Sequence, residues 1–156
     1  MKTPVVVLRK MTIGEKRIYR DHAVEGYLTD IVRAGALDAA QARVKANRDY
    51  DSVAANEDND WRHVESDGYV VGSLIWRLMV EDGLRVLHLS DIEIFETFRG
   101  RGLGRAAMEA LMAEAKVAGA VAVDLNVWAN NDVARFLYES LGFRATSTHM
   151  RLGLDP

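Results

Sequence analysis

The sequence predicts a single α/β domain of the α+β kind. Its order is strand, helix, helix, three antiparallel strands, helix, strand, helix, strand, around a mixed central sheet. Three observations carry that prediction. Apolar spacing is helical in the first third of the chain and turns into β-prone runs after the acidic stretch Asn56 to Asp60. Two Asp-Gly pairs, Asp67-Gly68 and Asp82-Gly83, separate those runs, which is the strongest short-range hairpin signal. The Gly-rich turn Gly100 to Gly104 then joins a β-prone run to a helical one. With 156 residues, 49% of them hydrophobic and 28% charged, the chain has the size and composition of one soluble globular domain, 1–156.

Each element has its own reason. Pro4 to Arg9 is Val-rich and reads as a strand. Thr12 is a candidate N-cap for a helix from Ile13 to Ala34, along which Ile18, Val24, Tyr27, Leu28, Ile31 and Val32 recur at helical spacing. Gly35 stops it. Asp38 caps a second helix through about Val53, carrying Ala39, Ala42, Val44 and Ala46. Asn56 to Asp60 reads as a solvated loop or as an acidic rim that draws a cationic substrate. Trp61 to Glu65, Tyr69 to Val80 and Arg85 to Phe95 form the antiparallel meander. The helix after the Gly-rich turn runs to about Ala118 with Leu103, Ala107, Leu111 and Ala115 as its buried stripe, and Gly119 ends it. Val121 to Trp128 is almost wholly apolar and reads as a central strand. Asn130 or Asn131 caps the last helix, Gly142 ends it, and Phe143 to Leu152 is expected as a final strand. Phe136, Phe143, Met108 and Met112 read as packing, and Trp76 and Trp128 as strand residues in or near the core.

Composition excludes several classes of function. A net charge of −3 lacks the basic surplus usual in nucleic-acid binders. The absence of Cys removes disulfides and thiol nucleophiles. His22, His63 and His149 show no metal-ligand spacing, so no metal is expected. No apolar run approaches the ~18 residues of a membrane span, and Val5 to Leu8 is too short for a signal-peptide core. A cytoplasmic location is the expectation.

The clearest chemistry lies in Arg99-Gly100-Arg101-Gly102-Leu103-Gly104-Arg105. Glycines let the backbone turn tightly and approach a ligand. A helix start offers free N–H groups and a positive dipole end, and arginines suit phosphate through bidentate contacts. A pyrophosphate fits these features. The turn is not a P-loop, since Gly104 is followed by Arg105-Ala106. Nor is it a dinucleotide turn, which would need Gly where Arg105 stands.

The run Asp91 to Gly104 resembles the acetyl-CoA-binding motif of the GNAT superfamily of N-acetyltransferases, whose core Arg/Gln-x-x-Gly-x-Gly/Ala is met by Arg99, Gly102 and Gly104. Leu125-Asn126-Val127 followed by Asn131, Ala134, Leu137-Tyr138-Glu139 and Gly142-Phe143 resembles the second family motif. Together the motifs span about Arg85 to Met150. The resemblance implies acetyl-CoA as cosubstrate and transfer of its acetyl group to an amine. It implies pyrophosphate binding on Arg99, Gly100, Arg101, Gly102, Leu103, Gly104 and Arg105. It also implies that the strands ending near Ile94-Phe95 and near Asn126 splay, so that backbone groups at Ile94 meet the cofactor arm and polarise the thioester carbonyl. Asn131 would touch that arm as well as cap its helix. Tyr138 would be the general acid that protonates the leaving thiolate.

The attacking amine must lose a proton. Asp91, Glu93 and His88 are candidate bases on the strand before the turn, with a water as the further option. Strict alternation puts Asp91 and Glu93 on one face and His88 on the other. Glu93, nearer the expected thioester, ranks first. The acidic features favour a small cationic amine as acceptor, without naming it. A non-catalytic acyl-CoA sensor on the same fold is the competing reading. Many members of the family pair as homodimers, and no residue here decides that point.

Overall fold

The computed structural model describes residues 2–35 and 37–154. Five strands form one sheet in the order β1-β2-β3-β4-β5. They are β1 (Val7–Lys10), β2 (Asp60–Ser66), β3 (Tyr69–Glu81), β4 (Leu84–Ile94) and β5 (Ala122–Leu125). The first four pair antiparallel and β5 pairs parallel to β4. The helices are α1 (Ile13–Arg33), α2 (Ala39–Ala55), α3 (Leu103–Val117) and α4 (Asp132–Ser140). Both Asp-Gly pairs have positive φ at each residue (51° and 82°, 50° and 79°), the backbone that a tight right-twisted hairpin requires.

Local chemistry sets the helix starts. Thr12 and Asp38 each close a capping box, with Glu15 and Gln41 respectively. On one face of the sheet, α3 and α4 pack Leu103, Ala107, Met108, Leu111, Ala115 and Tyr138 against Val64, Leu74, Leu87 and Leu89. On the other, α1 and α2 pack Tyr19, Ala23, Val24, Ile31, Ala42, Ala46 and Tyr50 against Trp61 and Ile75. Every predicted member of the α3 stripe is buried.

Five expectations need correction. β5 is short and lies at the sheet edge rather than in its centre; its apolar Val123 and Leu125 are covered by α3 and α4 on one face instead of by strands on both sides. Residues 143–154 contain no strand, and 144–154 are exposed throughout. In α1, Ile18 and Val32 face outward while Tyr19 and Ala23 take the buried face. Phe136 is likewise exposed on the outer face of α4. Finally, β1 begins at Val7, three residues later than its Val-rich run suggests. The loop at 56–59 borders a small surface cleft with Lys10 and Lys16.

Candidate active site

The site forms where β4 and β5 part. Their pairing covers only Val86 to Leu89 against Ala122 to Leu125. At that point β4 carries a bulge: Trp76 pairs with Leu89 and Ile75 with Asp91, leaving Ser90 without a partner. A bulge bends its strand and re-aims the side chains beyond it. It also shifts the alternation by one residue. Leu89, Ile92 and Ile94 therefore share the α3 face, while His88, Asp91 and Glu93 lie on the α1 face. This corrects the expectation from strict alternation, which separates His88 from the two carboxylates.

The backbone at the end of β4 is oriented by its pairing with β3. The Phe95 N–H donates to the Val71 carbonyl at 2.9 Å. Antiparallel pairing alternates, so the N–H and C=O of Ile94, opposite Gly72, point away from β3 and into the gap beside β5. The Ile94 carbonyl accepts from Arg99 Nε at 2.8 Å. Its N–H is directed at the space that the resemblance assigns to the thioester, and the Phe95 N–H is committed to the sheet.

Beyond a short 3₁₀ turn at Glu96–Phe98, the chain makes the Gly-rich turn. Gly100 and Gly102 have φ of 75° and 76°, a left-handed backbone that favours glycine. Gly102 is the N-cap of α3 and no side chain caps that helix, so its first N–H groups, from Leu103 onward, stand open for an anion. At Gly104 a Cβ would lie 3.4 Å from Leu137 and 3.8 Å from Ile94, so this position holds α3 close to α4 and β4. The arginines are engaged locally: Arg101 donates to the Thr97 carbonyl and lies over Phe98, and Arg105 donates to Ser140. The donor set of open N–H groups and guanidinium side chains fits a pyrophosphate. Asn131 caps α4, its Oδ1 accepting from Ala134 N–H at 3.2 Å, and Asn126 is exposed just past β5 on the open side of the gap.

Tyr138 comes from the other side of the gap. Its ring packs against Phe143 at 5.7 Å, and the residue is 9% exposed. Its hydroxyl makes no hydrogen bond among the described residues. Burial pushes its pKa up to about 12, and the Asp91 charge adds to the effect, so the phenol keeps its proton at neutral pH.

The carboxylates lie on the α1 face of β4. Asp91 Oδ2 accepts from the Tyr19 hydroxyl at 2.5 Å. Burial raises the Asp91 carboxyl to about 6; the charges of Glu93 and Asp30 add to the rise, and Tyr19 and Tyr50 oppose it. Glu93 pairs with His22 Nε2 at 2.8 Å, and Arg99 stands 4.0 Å away. Burial raises Asp30 as well, with Glu93 contributing and Arg33 opposing. Tyr27 packs on Tyr50 and Trp128, and His22 meets Phe95 edge-on. His88 is occupied elsewhere, held by Asp124 of β5 at 2.5 Å. The structure thus brings Glu93 and Asp91 together and adds His22, Tyr19, Tyr50 and Asp30. Sequence reasoning missed these four, because they reach β4 across long stretches of chain, 72 positions for Tyr19 to Asp91 and 71 for His22 to Glu93. The one available signal was the i, i+3 placement of Tyr19 and His22 on α1.

Among the described residues, no helix is long and apolar enough to cross a membrane, and no cluster of His, Asp or Glu could hold a metal.

Comparisons with known proteins agree with this geometry. Two curated Bacillus subtilis proteins are similar along nearly their whole length. The uncharacterized N-acetyltransferase YdgE is 26% identical over 152 residues, covering 92% of this chain and 95% of the relative. The uncharacterized N-acetyltransferase YycN is 27% identical over 150 residues, covering 93% and 96%. The crystal structure of YycN superposes with a TM-score of 0.90 at 24% identity, covering 97% of this chain and 100% of that one. The profile of the Acetyltransferase (GNAT) family matches residues 26–143, a span that holds the Gly-rich turn, both carboxylates and Tyr138. The chain belongs to the GNAT acetyltransferase family.

Proposed function

We propose that residues 1–156 act as one catalytic domain that moves the acetyl group of acetyl-CoA to a primary amine of a small cationic acceptor. The observation that carries this reading is the convergence at one gap of an uncapped Gly-rich helix start, an Ile94 N–H turned away from β3, a Tyr138 hydroxyl with no hydrogen-bond partner among the described residues and a half-buried carboxylate pair. The Arg99 to Arg105 turn would hold the pyrophosphate through the open N–H groups of α3, with Arg101 and Arg105 turning from their local partners. Asn126 and Asn131 border the path of the pantetheine arm. Bound acetyl-CoA supplies an activated thioester.

The chain's own groups supply the rest. The Ile94 N–H donates to the thioester oxygen and gains strength as negative charge develops there. Glu93 takes the proton of the attacking amine, and His22, paired with it, gives that proton a way out to solvent. Asp91 lies beneath and keeps the pocket negative above its pKa. Tyr138 donates its phenolic proton to the departing sulfur. With Asp30, Asp91 and Glu93 on one side and the rings of Tyr27 and Trp128 beside them, the acceptor pocket suits a cation with an apolar stem.

The test is turnover across a panel of small mono- and diamines against neutral hydroxyl analogues. Cationic amines should react fastest, and Glu93→Gln should lower their rate near neutrality and recover partly at high pH. CoA binding with no turnover on any amine would favour a non-catalytic acyl-CoA sensor.

A further inference from the structure

α1 carries a glycine that its own helix does not need. Gly26 lies in the interior of α1, away from both caps, where only proline is less favourable to a helix. It has no positive φ, so no turn requires it. A Cβ built there would meet nothing within 4 Å, so no close packing requires it either. The missing side chain leaves open space on one flank of the helix.

That flank borders the candidate site. His22, Gly26 and Asp30 follow at i, i+4 and i+8, so they form one row along α1. The row starts at the carboxylates, where His22 pairs with Glu93 at 2.8 Å and meets Phe95 edge-on. It ends at Asp30, about 12 Å further along the helix axis. Asp30 is half-buried, and among the described residues its carboxylate accepts no hydrogen bond and forms no ion pair. Burial raises its carboxyl; Arg33 opposes the rise from a distance, and the Glu93 charge adds to it. A partly buried carboxylate without a partner is unfavourable until a donor or a cation reaches it. Past Asp30, Asn130 Nδ2 donates to the Arg33 carbonyl at 3.3 Å, so the loop after β5 closes that end of the row. Trp128, from the same loop, packs against Tyr27, the neighbour of Gly26. The result is an open stretch beside aromatic rings, with carboxylates at both ends.

We propose that Gly26 and Asp30 select the acceptor: a linear amine whose reacting nitrogen meets Glu93, whose apolar spacer crosses Gly26, and whose second cationic group pairs with Asp30. The inference rests on the proposed acetyl transfer and names the class of amine that it serves. Selection works in two ways. Charge separates a diamine from a monoamine of equal length, which would set a methyl group against Asp30 and leave that carboxylate unpaired. Reach separates long acceptors from short ones, because a short diamine cannot touch both ends of the row. A hydrogen bond to a charged group at a partly exposed position is worth about tenfold in affinity.

The test compares kcat/KM for a series of α,ω-diaminoalkanes with that for the n-alkylamines of the same carbon number. The wild type should favour the diamine by about tenfold at an optimum spacer length. Asp30→Asn should erase that preference. Asp30→Glu should keep it and move the optimum to a spacer one methylene shorter, which a merely structural role for Asp30 would not do. Gly26→Leu should lower kcat/KM for long amines more than for short ones, with helix content by circular dichroism retained, since leucine is the better helix former. Calorimetry of the same amines on the CoA-loaded protein reads the Asp30 contact without turnover, and the best diamine should bind about tenfold more weakly to Asp30→Asn. If no amine is acetylated, the transfer reading fails, and the calorimetric comparison still decides this one. A wild type indifferent to the second charge in both assays overturns the proposal. So does an Asp30→Asn variant that keeps the preference, or a Gly26→Leu variant with an unchanged length profile.

Discussion

Replacing Tyr138 by Phe removes one oxygen atom and leaves the surrounding packing in place. The ring sits in the α3–α4 core against Phe143, and Phe keeps that contact. The hydroxyl has no hydrogen-bond partner among the described residues, so its loss strands no buried group there and stability should change by less than about 0.5 kcal/mol. Catalysis should respond differently. A phenol with its pKa pushed up to about 12 is protonated throughout the neutral range, and its use is to donate as the thiolate leaves. General acid help is worth roughly 10²–10⁴-fold. Thiolate is a fair leaving group, so the lower end applies: about 100-fold, or about 2.7 kcal/mol of transition-state stabilisation. Because that interaction develops only in the transition state, kcat and kcat/KM should fall together. Stopped-flow thiol release at saturating acetyl-CoA measures the rate, calorimetry the CoA affinity and thermal unfolding the fold. Unchanged kcat in a folded variant refutes the role. A loss confined to KM, or to CoA affinity, makes Tyr138 a packing residue of the cofactor cleft.

Other perturbations address the remaining parts. Gly102→Glu places negative charge at the uncapped start of α3 and should weaken CoA binding by calorimetry, with circular dichroism checking the fold, since φ of 76° strains any side chain there. Asp91 titrates near 6 in the folded chain and near 3.9 unfolded, so the native state holds the extra proton between those values and stability should fall as pH rises through them, by up to about 3 kcal/mol. Urea unfolding at pH 4 and pH 7 should show that fall in the wild type and its absence in Asp91→Asn. Gly72→Ala would set a Cβ 2.2 Å from the Glu93 carbonyl oxygen, and since backbone must move to relieve it, unfolding experiments should show a loss of about 1–3 kcal/mol together with reduced turnover.

Features set by neighbouring residues were legible in the sequence. Asp67-Gly68 and Asp82-Gly83 specify their hairpins because two successive positive φ angles are cheap only for such pairs. Leu103, Ala107, Leu111 and Ala115 mark the buried face of α3 because nearly its whole apolar stripe meets the sheet. In α1 the docked face is fixed by Trp61 and Ile75 from distant strands, so Tyr19 displaced Ile18 from the buried stripe, and the phase was not readable locally. The Ser90 bulge depends on the register between β3 and β4, which no single strand encodes. That one residue decides which side chains join Asp91. The pairing of His22 with Glu93 follows from the same long-range docking. At the C-terminal end, Phe143 to Leu152 reads as a strand in the sequence, but residues 143–154 hold no strand in the fold.

The most direct test of the account follows a labelled acetyl group from acetyl-CoA. A cysteine-free enzyme adds no thiol background, so free CoA thiol and labelled product can be counted in one reaction. With a small diamine as acceptor, the account predicts one thiol released for each labelled acetyl found on the amine nitrogen, and a rate that drops about 100-fold in Tyr138→Phe. Thiol released without acetylated amine, or labelled acetyl-CoA bound and recovered intact across the whole panel, would contradict it.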